Sequence, residues 1–258
     1  MTRHLGAGRK FAVVSIMVLL FILLVESLWV FIVSPRLTIG KIFLESDIEI
    51  PDKQLFEMLD LDGETWDSLD EEQIRRRLES YPIIREARIS RVFPDGLRVY
   101  IFRRRPLAVA FFDEGAIPLI AVFDEEGYVI QVDSKVDDID LPVLSGTAFH
   151  KFTPGSQVPE MAQQVLSDLS RLKIDEPKLF DLISEVEFIS HGEDGYDLKM
   201  YMNHIPIPVF VDMVLSPQLV RRALIVIEVL ALTSSEPIDV ADIRGGHAVY
   251  RPAGGHGG

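Results

Sequence analysis

Residues 11–33 form an unbroken apolar run whose only ionisable side chain is Glu26. At ~1.5 Å of rise per residue, a helix of this length spans roughly 35 Å, enough for a hydrocarbon core of about 30 Å. Each central Leu, Ile, Phe or Val favours insertion by about 0.3–0.6 kcal/mol, and the sum exceeds the cost of one carboxylate. Arg3, Arg9 and Lys10 precede the run, whereas Glu45, Asp47 and Glu49 follow it. The positive-inside rule predicts a cytoplasmic tail over 1–10, an anchor over 11–33, and everything after Pro35 across the membrane. A cleaved signal peptide would carry an apolar region of ~7–15 residues ending in small residues of the A-x-A kind. Here Trp29-Val30-Phe31-Ile32-Val33-Ser34 is bulky, and Trp29 suits an interface, so an uncleaved signal anchor is expected. Glu26 keeps two readings. It makes a transmembrane contact with a partner's polar group, or it lies about 10 Å from the outer end and is hydrated or protonated.

Beyond the anchor the periodicity changes. Residues 37–44 are apolar-rich and short, as in a strand. Pro51-Asp52 opens a helix, with Leu55, Met58 and Leu59 as its apolar stripe and Asp62-Gly63 as its break. Ser68 with Glu71 has capping-box spacing; Ile74, Leu78 and Tyr81 mark the buried face of a second helix, which Pro82 stops. Glu71 with Arg75 and Glu72 with Arg76 are expected i,i+4 pairs, each worth ~0.2–0.5 kcal/mol. Residues 84–93 and 97–102 read as strands around Pro94-Asp95-Gly96, a turn in which proline fixes φ and glycine is expected to supply a positive φ. Leu97, Val99 and Ile101 alternate with Arg98, Tyr100 and Phe102. The order is β-α-α-β-β.

Downstream, Met161, Val165, Leu169 and Leu172 recur at helical spacing. Residues 186–189 and 198–202 bracket a hairpin turn at His191-Gly192-Glu193-Asp194-Gly195, and 209–211 adds a strand. Ser216-Pro217 caps a helix reaching Leu232, whose apolar run Glu228 interrupts and which is too short for the ~20 residues of a second crossing. The glycine-rich 252–258 is expected to be a disordered tail. The fold class is α+β: an apolar anchor, a β-α-α-β-β domain, then a mainly antiparallel β domain with flanking helices.

Composition narrows the partners. The chain of 258 residues has a formal charge of −14 and no cysteine. The charge argues against nucleic acid and anionic lipid, and the absence of cysteine rules out disulfides and thiolate metal sites.

The stretch Tyr81-Pro82-Ile83-Ile84-Arg85-Glu86-Ala87-Arg88-Ile89, followed by Arg91-Val92-Phe93-Pro94-Asp95-Gly96-Leu97-Arg98-Val99, resembles the signature of the FtsQ/DivIB cell-division proteins, and the element order resembles a POTRA domain. Arg104-Arg105-Pro106-Leu107-Ala108 keeps the proline and alanine of the family's E-x-x-P-x-A close, with arginines where an acid is usual. Phe93 replaces the usual Trp, and Glu45-Ser46-Asp47 replaces a glycine-containing turn. Phe123-Asp124-Glu125-Glu126-Gly127-Tyr128-Val129-Ile130 is similar to the family's D-x-x-G-x-V hairpin, Leu141-Pro142-Val143-Leu144-Ser145-Gly146 to its L-P-x-L-x-G segment, and 238–250 to its terminal strands. The resemblance implies a POTRA domain over 36–106 and a β domain over 107–251.

It also implies a non-enzymatic divisome scaffold at the septum, which binds FtsB/DivIC-like and FtsL-like bitopic proteins outside the cytoplasmic membrane and links early to late assembly. The contact expected on physical grounds is strand addition to a terminal edge, with Ala248, Val249 and Tyr250 as candidates, Arg244 beside them and the preceding helix as a lateral wall. Proline at Val249 is the corresponding test. Arg103, Arg104 and Arg105 form a dense basic run that either meets an acidic partner or is a solvated inter-domain joint.

Enzymatic strings are weak. Ser170-Arg171-Leu172-Lys173 matches S-x-x-K, but the S-D-N and K-T-G partners of penicillin-binding enzymes do not occur. His191, Glu193, Asp194 and Asp197 lack the spacing of a metal site, and His150, His204 and His247 are scattered. No cofactor or metal is expected. The rivals are a substrate-recruiting POTRA module of an outer-membrane assembly or secretion system, and a membrane-tethered wall hydrolase using Ser170.

Overall fold

A computed structural model describes residues 5–29, 39–61, 64–65, 68–114, 117–136, 140–146, 151–191 and 195–253. Helix α1 runs Leu5–Leu28, starting before the predicted anchor; residues 30–33 of that anchor lie outside the described residues. The stretch Phe11–Leu28 is long and apolar enough to cross a membrane, and its side chains are exposed. The chain divides into two compact units, 1–103 and 104–258.

The first unit carries α1, β1 (Lys41–Ser46), α2 (Asp52–Leu59), α3 (Glu71–Glu79), β2 (Ile84–Val92) and β3 (Gly96–Arg103). Its sheet has the order β1-β3-β2, with β1 parallel and β2 antiparallel to the central strand. The alternation read in β3 is observed: Leu97, Val99 and Ile101 are buried against Leu59, Ile74 and Leu78 of the helices, and together these bury the apolar area that stabilises the unit. Arg77 joins the helices by donating to the carbonyls of Leu59 (2.5 Å) and Asp60 (3.1 Å) at the end of α2, where carbonyls lack helical partners.

Three local expectations are corrected here. The cap of α3 is Asp70, whose Oδ1 accepts from the amides of Glu72 (3.0 Å) and Gln73 (3.1 Å). Ser68 instead donates to Glu64 and accepts from Thr65. Gly96 does not have a positive φ; an added Cβ there would lie 3.0 Å from the Phe43 ring and 3.0 Å from the Val92 carbonyl oxygen. Close packing requires that glycine. The pair expected between Glu71 and Arg75 is replaced, because Glu71 meets Arg91 at 3.2 Å while Arg75 takes Glu72 and Glu79.

The second unit is a nine-stranded sheet in the order β12-β11-β10-β9-β8-β7-β4-β5-β6. Its strands are β4 (Ala108–Glu114), β5 (Ile117–Phe123), β6 (Val129–Asp133), β7 (Val143–Gly146), β8 (Ile183–His191), β9 (Gly195–Met202), β10 (Ile205–Val211), β11 (Ile238–Asp242) and β12 (Val249–Pro252). Helices α4 (Glu160–Asp175), α5 (Pro177–Phe180) and α6 (Pro217–Thr233) supply the rest of the unit's core. Leu166, Leu169 and Leu172 of α4 and Val220, Ala223 and Ile227 of α6 are buried with Phe188, Leu198, Met200 and Val209 of the sheet. Asp168, itself buried, accepts from the Leu215 amide at 2.9 Å and from Gln164 at 3.0 Å, tying α4 to the segment before α6. Ser216 caps α6 as expected, accepting from Leu219 at 3.2 Å. Pro252, placed in a disordered tail by composition, is the last residue of β12, and the Ala253 amide bonds the Pro237 carbonyl at 2.7 Å. Residues 254–258 lie outside the described residues.

Candidate partner-binding edge

Strand β12 ends the large sheet, antiparallel to β11 with Val240↔Arg251, Ala241↔Tyr250 and Asp242↔Val249 opposed. Backbone groups along a strand point alternately to either side. Because Ala253 donates toward β11 through Pro237, Arg251 and Val249 also turn their amides inward. Pro252 has no amide hydrogen. Tyr250 is therefore the residue of β12 that directs an N–H away from the sheet, and the proline test belongs at Tyr250 instead of Val249. Both side chains are open to solvent, at 62% and 55% exposure for Val249 and Tyr250. Ala248 precedes the strand in an exposed link.

The connection into β12 is a short 3-10 turn, Arg244–Gly246, in which Gly245 (φ 62°) and Gly246 (φ 89°) take left-handed conformations. Arg244 fixes this turn from the sheet side. Its guanidinium lies over the Phe210 ring (4.8 Å to the centroid), bonds Asp197 at 2.7 Å and holds Asp242 through Nε at 3.0 Å. The Arg244 hydrogen bond holds the Asp242 carboxyl below its ordinary range. Arg244 is thus engaged with its own domain beside the edge. Arg251 braces the strand by donating to Asp239 at 2.7 Å. On α6, Ile225, Val229 and Leu232 form an exposed apolar stripe at i, i+4 and i+7.

The arginine run is not a uniform basic patch. The Arg103 amide bonds Asp47 at 3.0 Å within the first unit. Arg104 belongs to the second, where it bonds Asp124 (2.6 Å) and Glu126 (3.0 Å) and lies 4.0 Å over the Tyr128 ring. Its side chain is 12% exposed and that of Asp124 is 2% exposed. Arg103 and Arg105 are exposed. Glu26 sits on the exposed surface of α1, two residues before its end.

The S-x-x-K pair is not brought together. Ser170 donates to Glu125 at 2.8 Å, and the Lys173 ammonium lies 5.1 Å from the Phe180 ring centre. Among the described residues no group of three His, Cys, Asp or Glu side chains could hold a metal. Residues 192–194 and His150 lie outside the described residues. The sequence had offered Arg244 and Val249 without these partners: Asp242 lies only two residues before Arg244, whereas Phe210 and Asp197 reach it from neighbouring strands through cross-strand register.

A family model described as "POTRA domain, FtsQ-type" matches residues 38–104, the β-α-α-β-β unit described above. The "Cell division protein FtsQ" of Syntrophotalea carbinolica is 26% identical over 176 residues, covering 67% of this chain and 60% of that protein. Residues 38–104 are thus an FtsQ-type POTRA domain, and the chain is similar to a cell-division protein of that type. It spans about 60% of the length of the relative it matches. The FtsQ-type domain contributes β1 to β3, and the terminal edge lies in the unit that follows it.

Proposed function

We propose that this chain is a membrane-anchored, non-enzymatic cell-division scaffold. Helix α1 holds it in the cytoplasmic membrane with both units outside, at the division septum, and β12 receives an extended segment of an FtsB/DivIC-like or FtsL-like partner. The observation that carries this reading is the terminal position of β12: its outer side offers backbone groups that a partner strand satisfies with main-chain hydrogen bonds. The exposed stripe of α6, which leads directly into β11, gives such a partner an apolar surface to cover, and Arg103 and Arg105 supply charge for an acidic partner segment.

The test is a pair of substitutions at one position. Tyr250→Pro removes the outward donor, whereas Tyr250→Ala removes only the side chain. Co-purification of FtsB-like and FtsL-like proteins from membranes is expected to fail for the first and largely survive for the second. Retention by a folded Tyr250→Pro chain would refute strand addition. Imaging of a fluorescent fusion tests the cellular role, which an evenly dispersed signal in dividing cells would exclude.

A further inference from the structure

We propose that the β2–β3 turn of the first unit is a membrane-contacting wedge, with Phe93 entering the interfacial region of the leaflet into which α1 emerges. The inference rests on the anchoring of α1. Phe93 is 69% exposed at the tip of the turn, where its ring is free to meet another apolar surface. Its ring centre lies 6.2 Å from that of Trp29, the residue that follows α1 and that suits the membrane–water interface.

Topology puts the turn at the correct end of the domain. Strand β1 is the first strand after the anchor, and β3 runs parallel to it, so both begin at the same end. The turn is fastened there: the amides of Gly40 and Lys41 donate to the Asp95 carbonyl at 2.9 and 3.3 Å. Residues 30–38 separate Trp29 from Ile39, and a chain of that length reaches at most roughly 35 Å. The tether is thus long enough for this end of the sheet to rest on the lipid surface. Lys41 and Phe43 lie beside it on the exposed side of β1, a cation and an aromatic ring of the kind that settles at headgroup level. The overall charge of −14 disfavours electrostatic adhesion, so the contact is an apolar one and zwitterionic lipid suffices.

The experiment uses the full chain in phosphatidylcholine nanodiscs. Trp29 and Trp66, its two tryptophans, are replaced by Phe, and a single tryptophan is introduced as Phe93→Trp or, at the opposite end of β3, as Phe102→Trp. With lipid brominated near the headgroup, emission from the Phe93→Trp chain is expected to be blue-shifted and strongly quenched, while that from the Phe102→Trp chain is unchanged. Equal quenching in both chains, or none in Phe93→Trp, overturns the wedge. Circular dichroism of each variant establishes folding, and Phe93→Tyr in the native background, which keeps an interfacial ring, is expected to retain the same protection of the turn from protease. A chain that fails to enter nanodiscs removes the anchor reading and the wedge together. A Phe93→Trp chain that enters and stays unquenched removes only the wedge.

Discussion

Asp124 is the position where one side chain decides most. It is 2% exposed, and its Oδ1 accepts from the amides of Glu126 (3.0 Å) and Tyr128 (2.7 Å) while Oδ2 meets Arg104 at 2.6 Å. Asp124→Ala leaves two amides short of an acceptor, at about 1–3 kcal/mol each where water cannot reach them. It also strips a largely enclosed guanidinium of one partner, a loss that for buried pairs is ~3–5 kcal/mol. Glu126 still reaches that guanidinium at 3.0 Å from a half-open position, and the Gly127 backbone can relax, so the sum falls to about 3–4 kcal/mol. With a urea slope of ~1–3 kcal/mol per molar, the unfolding midpoint drops by roughly 1–4 M. The assay is urea denaturation of a chain beginning at Ile39, followed by tyrosine fluorescence and far-ultraviolet dichroism. A shift below about 0.3 M would refute the reasoning, since so small a change belongs to a solvated surface pair. The same geometry governs how the arginine run is tested: loss of binding in an Arg104 variant reports a damaged corner, whereas Arg103 and Arg105 can be reversed in charge without opening it.

Two further outcomes follow from local geometry. Gly146 has φ 109°, and an added Cβ would lie 2.0 Å from the Phe188 carbonyl oxygen, a backbone atom of the neighbouring strand, so Gly146→Ala is expected to cost roughly 3 kcal/mol or more; a thermal midpoint within a degree or two of wild type would contradict it. Hydrogen bonds from Arg75 and Arg76 lower the Glu72 carboxyl to about 2 from its ordinary 4.5, so its stabilisation of α3 is complete above 4.5 and is lost as acidification passes through about 2. Carbon-detected titration of Glu72 checks this, and a midpoint near 4.5 would show the pair to be absent in solution.

Much of the first unit was legible because its signals are local. Leu97, Val99 and Ile101 alternate, Ile74 and Leu78 recur, and both patterns survive folding because one face of each element is buried. Capping failed where several short polar residues compete: Ser68 is occupied by Glu64 and Thr65, which leaves Asp70 to cap α3. The second unit was harder. The order of nine strands depends on pairings between residues far apart, such as Val143 with Glu185, and no local pattern encodes them. The candidate edge was found from its similarity to known terminal strands, but the parity that separates Tyr250 from Val249 required the register. Arg104 looked like one of three equivalent cations until Asp124 and Tyr128 were seen around it.

The parallel pairing of β1 with β3 has a mechanical consequence. Tension between the anchor and the second unit enters at Lys41 and leaves at Arg103, at opposite ends of two adjacent strands. Such a pull loads the six opposed residue pairs of that ladder simultaneously, so the domain resists by sliding and does not peel. A pull applied at these two strand ends is met by a stiff link.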